Sequence, residues 1–272
     1  MYFTFGPEIF TSVVNGYLPE PHASLLNGIL FGINLKTSRV FYDQLKTVGL
    51  LHLVVLSGIN ITLLAAVIGQ ITNFLGKRVS ILITILIVVL FIIFVGPKAP
   101  IIRAGFMGIF TLVSLLFGKK SYALWGLFLS LIFVLIFWPD WIKTVSLQLS
   151  YAACLGLALY GNVYEKKAND LKGRLFCWLW KEIKPSLAAQ VFTAPIIFIY
   201  FKEVSLIGLV SNLLVSFTIA PLMIFGFITV VLGKTNYLLG LIPAYICYGL
   251  LSYIVFIIGI LAKIPWALIN FK

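Results

Sequence analysis

A chain of 272 residues in which 61% are hydrophobic and only 10% are charged is not an ordinary soluble domain, where roughly a quarter of the residues carry charge. Its continuous apolar runs also exclude a β-barrel, whose strands alternate over short segments. They predict an all-α fold: a polytopic transmembrane helical bundle with broken or re-entrant helices, in the cell (inner or plasma) membrane.

The net charge is +12, and it has two readings. Basic loops are held on the cytoplasmic side against anionic lipid, or the substrate is a polyanion. Cys154, Cys177 and Cys247 share no motif spacing, which argues against a disulfide framework or a zinc site. His22 and His52 are the two histidines, too few for a multi-histidine metal centre. No metal or cofactor is expected. The opening "MYFTFGPEIF" lacks a basic stretch, so no cleavable signal peptide is expected.

In chain order, residues 1–47 form an N-terminal unit. Its segment "LPEPHASLLNGILFGIN" is too short for a span and reads as an interfacial or re-entrant helix. The polar linker "LKTSRVFYDQLKTVG" follows. Residues 48–272 form the transmembrane core, with about eight spans. The first five cover 48–69, 79–96, 100–117, 121–138 and 144–161. A basic, aromatic stretch at 164–185 resembles an amphipathic helix on the membrane surface. Further apolar stretches cover 187–201, 204–232 and 236–262. The 204–232 stretch is long for one crossing, and Pro221 and Asn212 suggest a break or tilt in it. The positive-inside rule places 164–185, "GKRVS" and "FGKKSY" in the cytoplasm. No internal repeat is evident.

Polar groups inside the apolar runs are the candidate functional residues, because they are costly in lipid and seldom face it. On a continuous 48–69 helix, with Gly49 at zero, His52 falls near about −60°, Ser57 near about +80° and Asn60 near about +20°. That polar arc faces either neighbouring helices or a hydrated path. Arg103, in "GPKAPIIRAGFMG", lies just inside a helix that starts behind two prolines. With Lys98 and the free N–H groups there it would make a positive mouth, or it snorkels to the headgroups. Gln148 and Ser150 enter the next polar span, in "SLQLSYAACLG". Asn212, Ser216 and Pro221 lie in "SNLLVSFTIAP". For both segments helix packing is the alternative.

A serine protease dyad is disfavoured. His52 and Ser57 lie about 140° apart around one helix, so they cannot meet as base and nucleophile. The stretch "GLLHLVVLSGINITLL" instead resembles the signature of the ComEC/Rec2 family of competence proteins, at Gly49, His52, Ser57 and Gly58. The resemblance continues at Arg103, Ala104 and Met107, then at Pro139, Gln148, Leu149 and Ser150, and then at Pro195, Ser205, Asn212 and Pro221. Together with "LPEPHASLLNGILFG" it covers most of residues 18–235. Asn60 departs from the family pattern, which commonly has a histidine there. Asparagine keeps the hydrogen bonds of that position but cannot titrate.

The resemblance implies a membrane channel for single-stranded DNA entering the cytoplasm during competence. The path would be lined by His52, Ser57, Gly58, Asn60, Arg103, Gln148, Ser150 and Asn212, with helix breaks at Pro195 and Pro221. A cytoplasmic ATP-driven DNA translocase and an outer DNA receptor are the implied partners, beside the lipid bilayer and a second copy of the chain. No P-loop, protease or nuclease motif is seen, so no enzymatic activity is expected. The soluble OB-like and metallo-β-lactamase parts that often accompany this core are not recognised, and a metallo-β-lactamase-like nuclease would be a separate chain. The chain would be a minimal member, a fragment or one half of a split pair. The competing reading is a small-solute transporter or a structural membrane subunit outside competence. Trp125, Trp138 and Trp141 read as interfacial aromatics or as stacking platforms for bases.

Overall fold

In the computed structural model, residues 7–51, 58–161, 171–265 and 267–270 are described. The helices are α1 (Glu8–Tyr17), α2 (His22–Phe31), α3 (Arg39–Thr47), α4 (Gly58–Thr72), α5 (Lys77–Val95), α6 (Ala99–Leu116), α7 (Ala123–Phe137), α8 (Val145–Tyr160), α9 (Leu171–Phe201), α10 (Gly208–Thr235) and α11 (Tyr237–Leu261). Strand β1 (Glu203–Ser205) pairs antiparallel with β2 (Leu268–Asn270). The fold is an all-α membrane bundle. Five of its helical stretches are long and apolar enough to cross a membrane: α5, α6, Ile183–Phe201 of α9, α10 and α11. Apolar helices α2, α4, α7 and α8 are shorter.

Large apolar side chains cover the outside. On α5, Leu82, Leu86, Leu90 and Ile93 are exposed, while Ser80, Thr84, Val88, Phe91 and Val95 face inward. The buried positions repeat every three or four residues, so they form one stripe. The inward polar groups bond within the protein: Ser80 Oγ donates to the Gly69 carbonyl and Thr84 Oγ1 to that of Ser80. An apolar exterior around a partly polar interior is what lipid as solvent selects.

Among the described residues the packing has two larger centres and a small third one of Ala99, Val134 and Leu147. Helices α2, α3, α10 and α11 share one core, which includes Leu26, Leu30, Leu45, Val215, Leu222, Leu251 and Ile258. Within it lies an apolar void of about 10 Å³ lined by Leu25, Ile29, Leu45, Val215 and Ile254 among others. A second core joins α4, α5 and α6 through Ile61, Val88, Phe91, Ile101 and Ala104. Phe94 and Phe227 touch both cores. Their rings meet Phe31 and Phe91 edge-on, the arrangement that ring quadrupoles favour.

Helix α2 is central. It is apolar on most sides, with Ser24 and Asn27 bonded inside the protein, and such helices are buried rather than half-exposed. Every residue from Ala23 to Phe31 is buried. Gly32 closes it with φ 64°, a left-handed conformation that glycine adopts without a Cβ penalty. Helix α3 ends on Gly49 at φ 73°. The carbonyls at its end accept side-chain bonds: Ser205 Oγ donates to Thr47 and Ser211 Oγ to Val48. These satisfy acceptors that a helix terminus leaves open.

Three sequence expectations are corrected. Pro195 and Pro221 do not break their helices. Both lie inside continuous helices, α9 and α10, as does Pro185. Each proline removes one N–H donor, leaving the carbonyls of Val191 and Phe217 without a helical partner, yet the backbone stays helical through both positions. The basic 164–185 stretch and the 187–201 span are not separate elements, because from Leu171 onward they form one helix. Gly49 does not belong to the helix of the 48–69 stretch, since its positive φ places it in the turn after α3.

Candidate functional site

Helix α6 begins after Lys98, with Pro100 in its first turn. Proline is pre-organised for that position and lacks only an N–H that would have no helical partner. One turn on, Arg103 points into the protein and is 6% exposed. Its Nη1 donates to the main-chain carbonyl of Ser150 at 2.6 Å and to Cys154 Sγ, both on α8. Ser150 and Cys154 are four residues apart, so they stack on one face of that helix. One nitrogen can therefore reach both.

The opposite edge of the guanidinium faces α4. A Cβ on Gly58 would lie 2.6 Å from Arg103 Nη2 and 3.2 Å from Ala104 Cβ. Only a residue without a side chain lets α4 come this close to Arg103. Arg103 Nε is buried without a hydrogen-bond partner. Beside this junction, the Tyr151 hydroxyl lies 3.0 Å from Ser130 Oγ, which ties α8 to α7.

Gly58, Arg103 and Ser150 are thus brought together. Ser150 contributes its carbonyl to Arg103, not its hydroxyl. The other described candidates lie elsewhere, each with its own partner. Asn60 Nδ2 donates to Ile29 O on α2 at 2.8 Å, and Asn60 is 2% exposed. Gln148 Nε2 turns back to Ile142 O at 3.1 Å, in the 3-10 turn Pro139–Lys143. Asn212 Nδ2 donates to Ser186 Oγ at 2.7 Å, linking α10 to α9. These three side chains thus bond three separate acceptors. His52 and Ser57 lie outside the described residues.

Lys98 does not share a positive mouth with Arg103. Its Nζ donates to Gly32 O at 2.6 Å, which places a cation at the negative C-terminal end of α2. With Asn60 on Ile29, that end has two side-chain donors. At the other end His22 Nε2 lies 3.1 Å from Ser252 Oγ, and the ring stacks on Tyr248. His22 Nδ1 and Asn27 Oδ1 are buried without partners. Trp138 and Trp141 stack on each other at 4.9 Å, beyond the end of α7.

Sequence reasoning missed Cys154, which it took for one of three scattered thiols. The usable signal was its spacing from Ser150 on the polar face of α8. It also missed Asn27, which donates to Asn15 Oδ1 at 2.9 Å and joins α2 to α1.

Comparison with known proteins bears on this junction. Residues 29–272 match the family model described as Competence protein. The protein "ComE operon protein 3" of Bacillus subtilis (strain 168) is 25% identical over 206 residues. That alignment takes in 75% of this chain and 25% of the Bacillus protein, so the chain spans far less than the relative's full length. No solved structure matches. The family match starts within α2 and takes in α4, α6 and α8, and with them the surroundings of Arg103; the chain belongs to the competence-protein (ComEC) family.

Proposed function

We propose that this chain forms the membrane passage by which single-stranded DNA enters the cytoplasm during competence uptake. Arg103 carries the reading. It is a buried guanidinium among apolar helices, and no carboxylate pairs with it among the described residues. An uncompensated buried charge costs several kcal/mol, and in membrane helices such a residue marks an ion or substrate path. A phosphate in transit supplies the missing anion. Membership of a family described as competence proteins points to DNA as the source of that phosphate. One cation, rather than a row of lysines, also suits conduction, which requires weak binding.

In this reading the described structure is the closed state, since Gly58 sits directly against Arg103. Passage requires α4 to part from α6 and α8. Inward movement of an anion opposes an inside-negative potential at about 2.3 kcal/mol per charge per 100 mV. A cytoplasmic ATP-driven translocase therefore pulls the strand and an outer receptor delivers it. Residues 1–272 serve in this reading as a conduit and not as the site of strand degradation.

The test is entry of labelled DNA into a nuclease-protected state in competent cells. Cells lacking the chain are compared with cells carrying it at normal level. Loss of protected DNA on deletion, restored by the wild-type chain, is expected. Unchanged entry on deletion overturns the reading.

A further inference from the structure

We propose that the Nε–Nη2 edge of Arg103 is a subsite for one phosphodiester oxyanion, and that Gly58, which lets α4 close against this edge without displacing the guanidinium, is its positioning residue. The inference rests on the DNA-passage reading and deepens it by naming the atoms and the ligand chemistry.

A guanidinium offers two-pronged recognition along particular edges, and Nε with Nη2 forms one of them. In Arg103 the other terminal nitrogen, Nη1, is already committed to Ser150 O and Cys154 Sγ. That anchoring fixes the plane of the group. Nε is buried and unpartnered, and Nη2 has no hydrogen bond among the described residues. One pair of parallel donors is thus left over on a cation that is 6% exposed. Two oxygens of a single phosphodiester match that pair in spacing and charge.

Nη2 is bordered by Gly58, where a Cβ would sit 2.6 Å away. Alanine there pushes the planar guanidinium out of register as one rigid group, its Nη1 bonds included. Gly58 is therefore a positioning residue: it touches the arginine, and the arginine touches the anion. The subsite reads charge and geometry only. It has no donor directed at a base, so it does not distinguish sequence.

Phosphodiesters come from nucleic acid and from phospholipid headgroups, and the experiment separates the two. The full chain is reconstituted in nanodiscs of phosphatidylcholine, and binding of a fluorescent oligothymidylate is followed by anisotropy. Competitors are unlabelled oligothymidylate, its uncharged methylphosphonate analogue, and phosphatidylglycerol included in the disc. The proposal expects competition by the charged oligomer alone. It expects Arg103→Gln to weaken binding at least about tenfold and Arg103→Lys to retain part of it, since lysine keeps the charge and loses the fork. Gly58→Ala is expected to weaken binding about as much as Arg103→Gln and to add nothing further when combined with it. Tyr151→Phe, which removes the Ser130 bond beside the junction, keeps binding near wild type and controls for general disturbance of α8.

Equal binding by wild type and Arg103→Gln overturns the subsite. So does displacement by phosphatidylglycerol alone, which assigns the edge to lipid. The broader reading fails separately: if Arg103-dependent binding is found while deletion of the chain leaves DNA entry unchanged, the subsite stands and the passage function falls.

Discussion

The side-chain amide of Asn60 donates to the main-chain carbonyl of Ile29 across 2.8 Å, joining the first described turn of α4 to the last turn of α2. The carbonyl is one of those that a helix C-terminus leaves without an internal donor. Asn60→Leu removes its donor inside a buried contact. The expected loss is about 1–3 kcal/mol of stability, read as a lower melting temperature of the detergent-solubilised chain. Asn60→His, which restores a ring N–H, is expected to recover most of that loss. A histidine variant as unstable as the leucine variant would show that the amide matters for its shape rather than for the bond.

Lys98 acts on the same end of α2 through Gly32 O. Replacement by methionine keeps the length of the stem and removes the cation. The expected cost is about 0.3–2 kcal/mol, the range for a charge at a helix terminus. Hydrogen exchange should localise the effect: amides around Gly32–Lys36 exchange faster in Lys98→Met, while those of α10 keep their protection. Uniform acceleration across the chain would contradict a local capping role.

Gly156 sets how closely α8 approaches α9. A Cβ at that position would collide with the main-chain carbonyl of Ala188 and come within 2.9 Å of the Phe192 ring. A ring can turn aside, but a helix backbone cannot move without shifting its neighbours. Gly156→Ala is therefore expected to destabilise by about 1–3 kcal/mol, the usual range for overpacking. Phe192→Leu, which frees space near the ring only, is expected not to rescue it. Measuring the single and double variants by thermal unfolding separates the two contacts.

Pro221 lies within the continuous α10. Pro221→Ala supplies an N–H where the helix lacks one, so the melting temperature is expected to hold or rise. A clear fall would give the proline a packing role that outweighs the added hydrogen bond.

The outline of the bundle was legible because its signal is strong and local. Helix α5 is apolar along its whole length, and no neighbour is needed to recognise it. Arg103 was legible for the converse reason, as a charge in an apolar run. Its partners were not, because Ser150 and Cys154 reach it only through the rotational setting of α8, which packing fixes. Asn60, Gln148 and Asn212 were correctly seen as polar groups in apolar surroundings. Polarity alone did not reveal that each one has a separate acceptor. The prolines misled because their local effect on a helix is real in isolation, whereas the packing of α9 on α8 and of α10 on α11 holds both helices continuous. The setting of α2 was hidden most completely, because α10 and α11, from the far end of the chain, supply the walls around it.

That last arrangement bears on how the molecule is made. Helix α2 leaves the ribosome long before α10 and α11, yet its buried surface is completed by Leu222, Leu251 and Ile258 on those two helices. The α1–α2 hairpin therefore reaches its full packing only once α10 and α11, made later, lie against it. A chain in which α10 and α11 fail to insert would therefore leave the apolar sides of α2 uncovered.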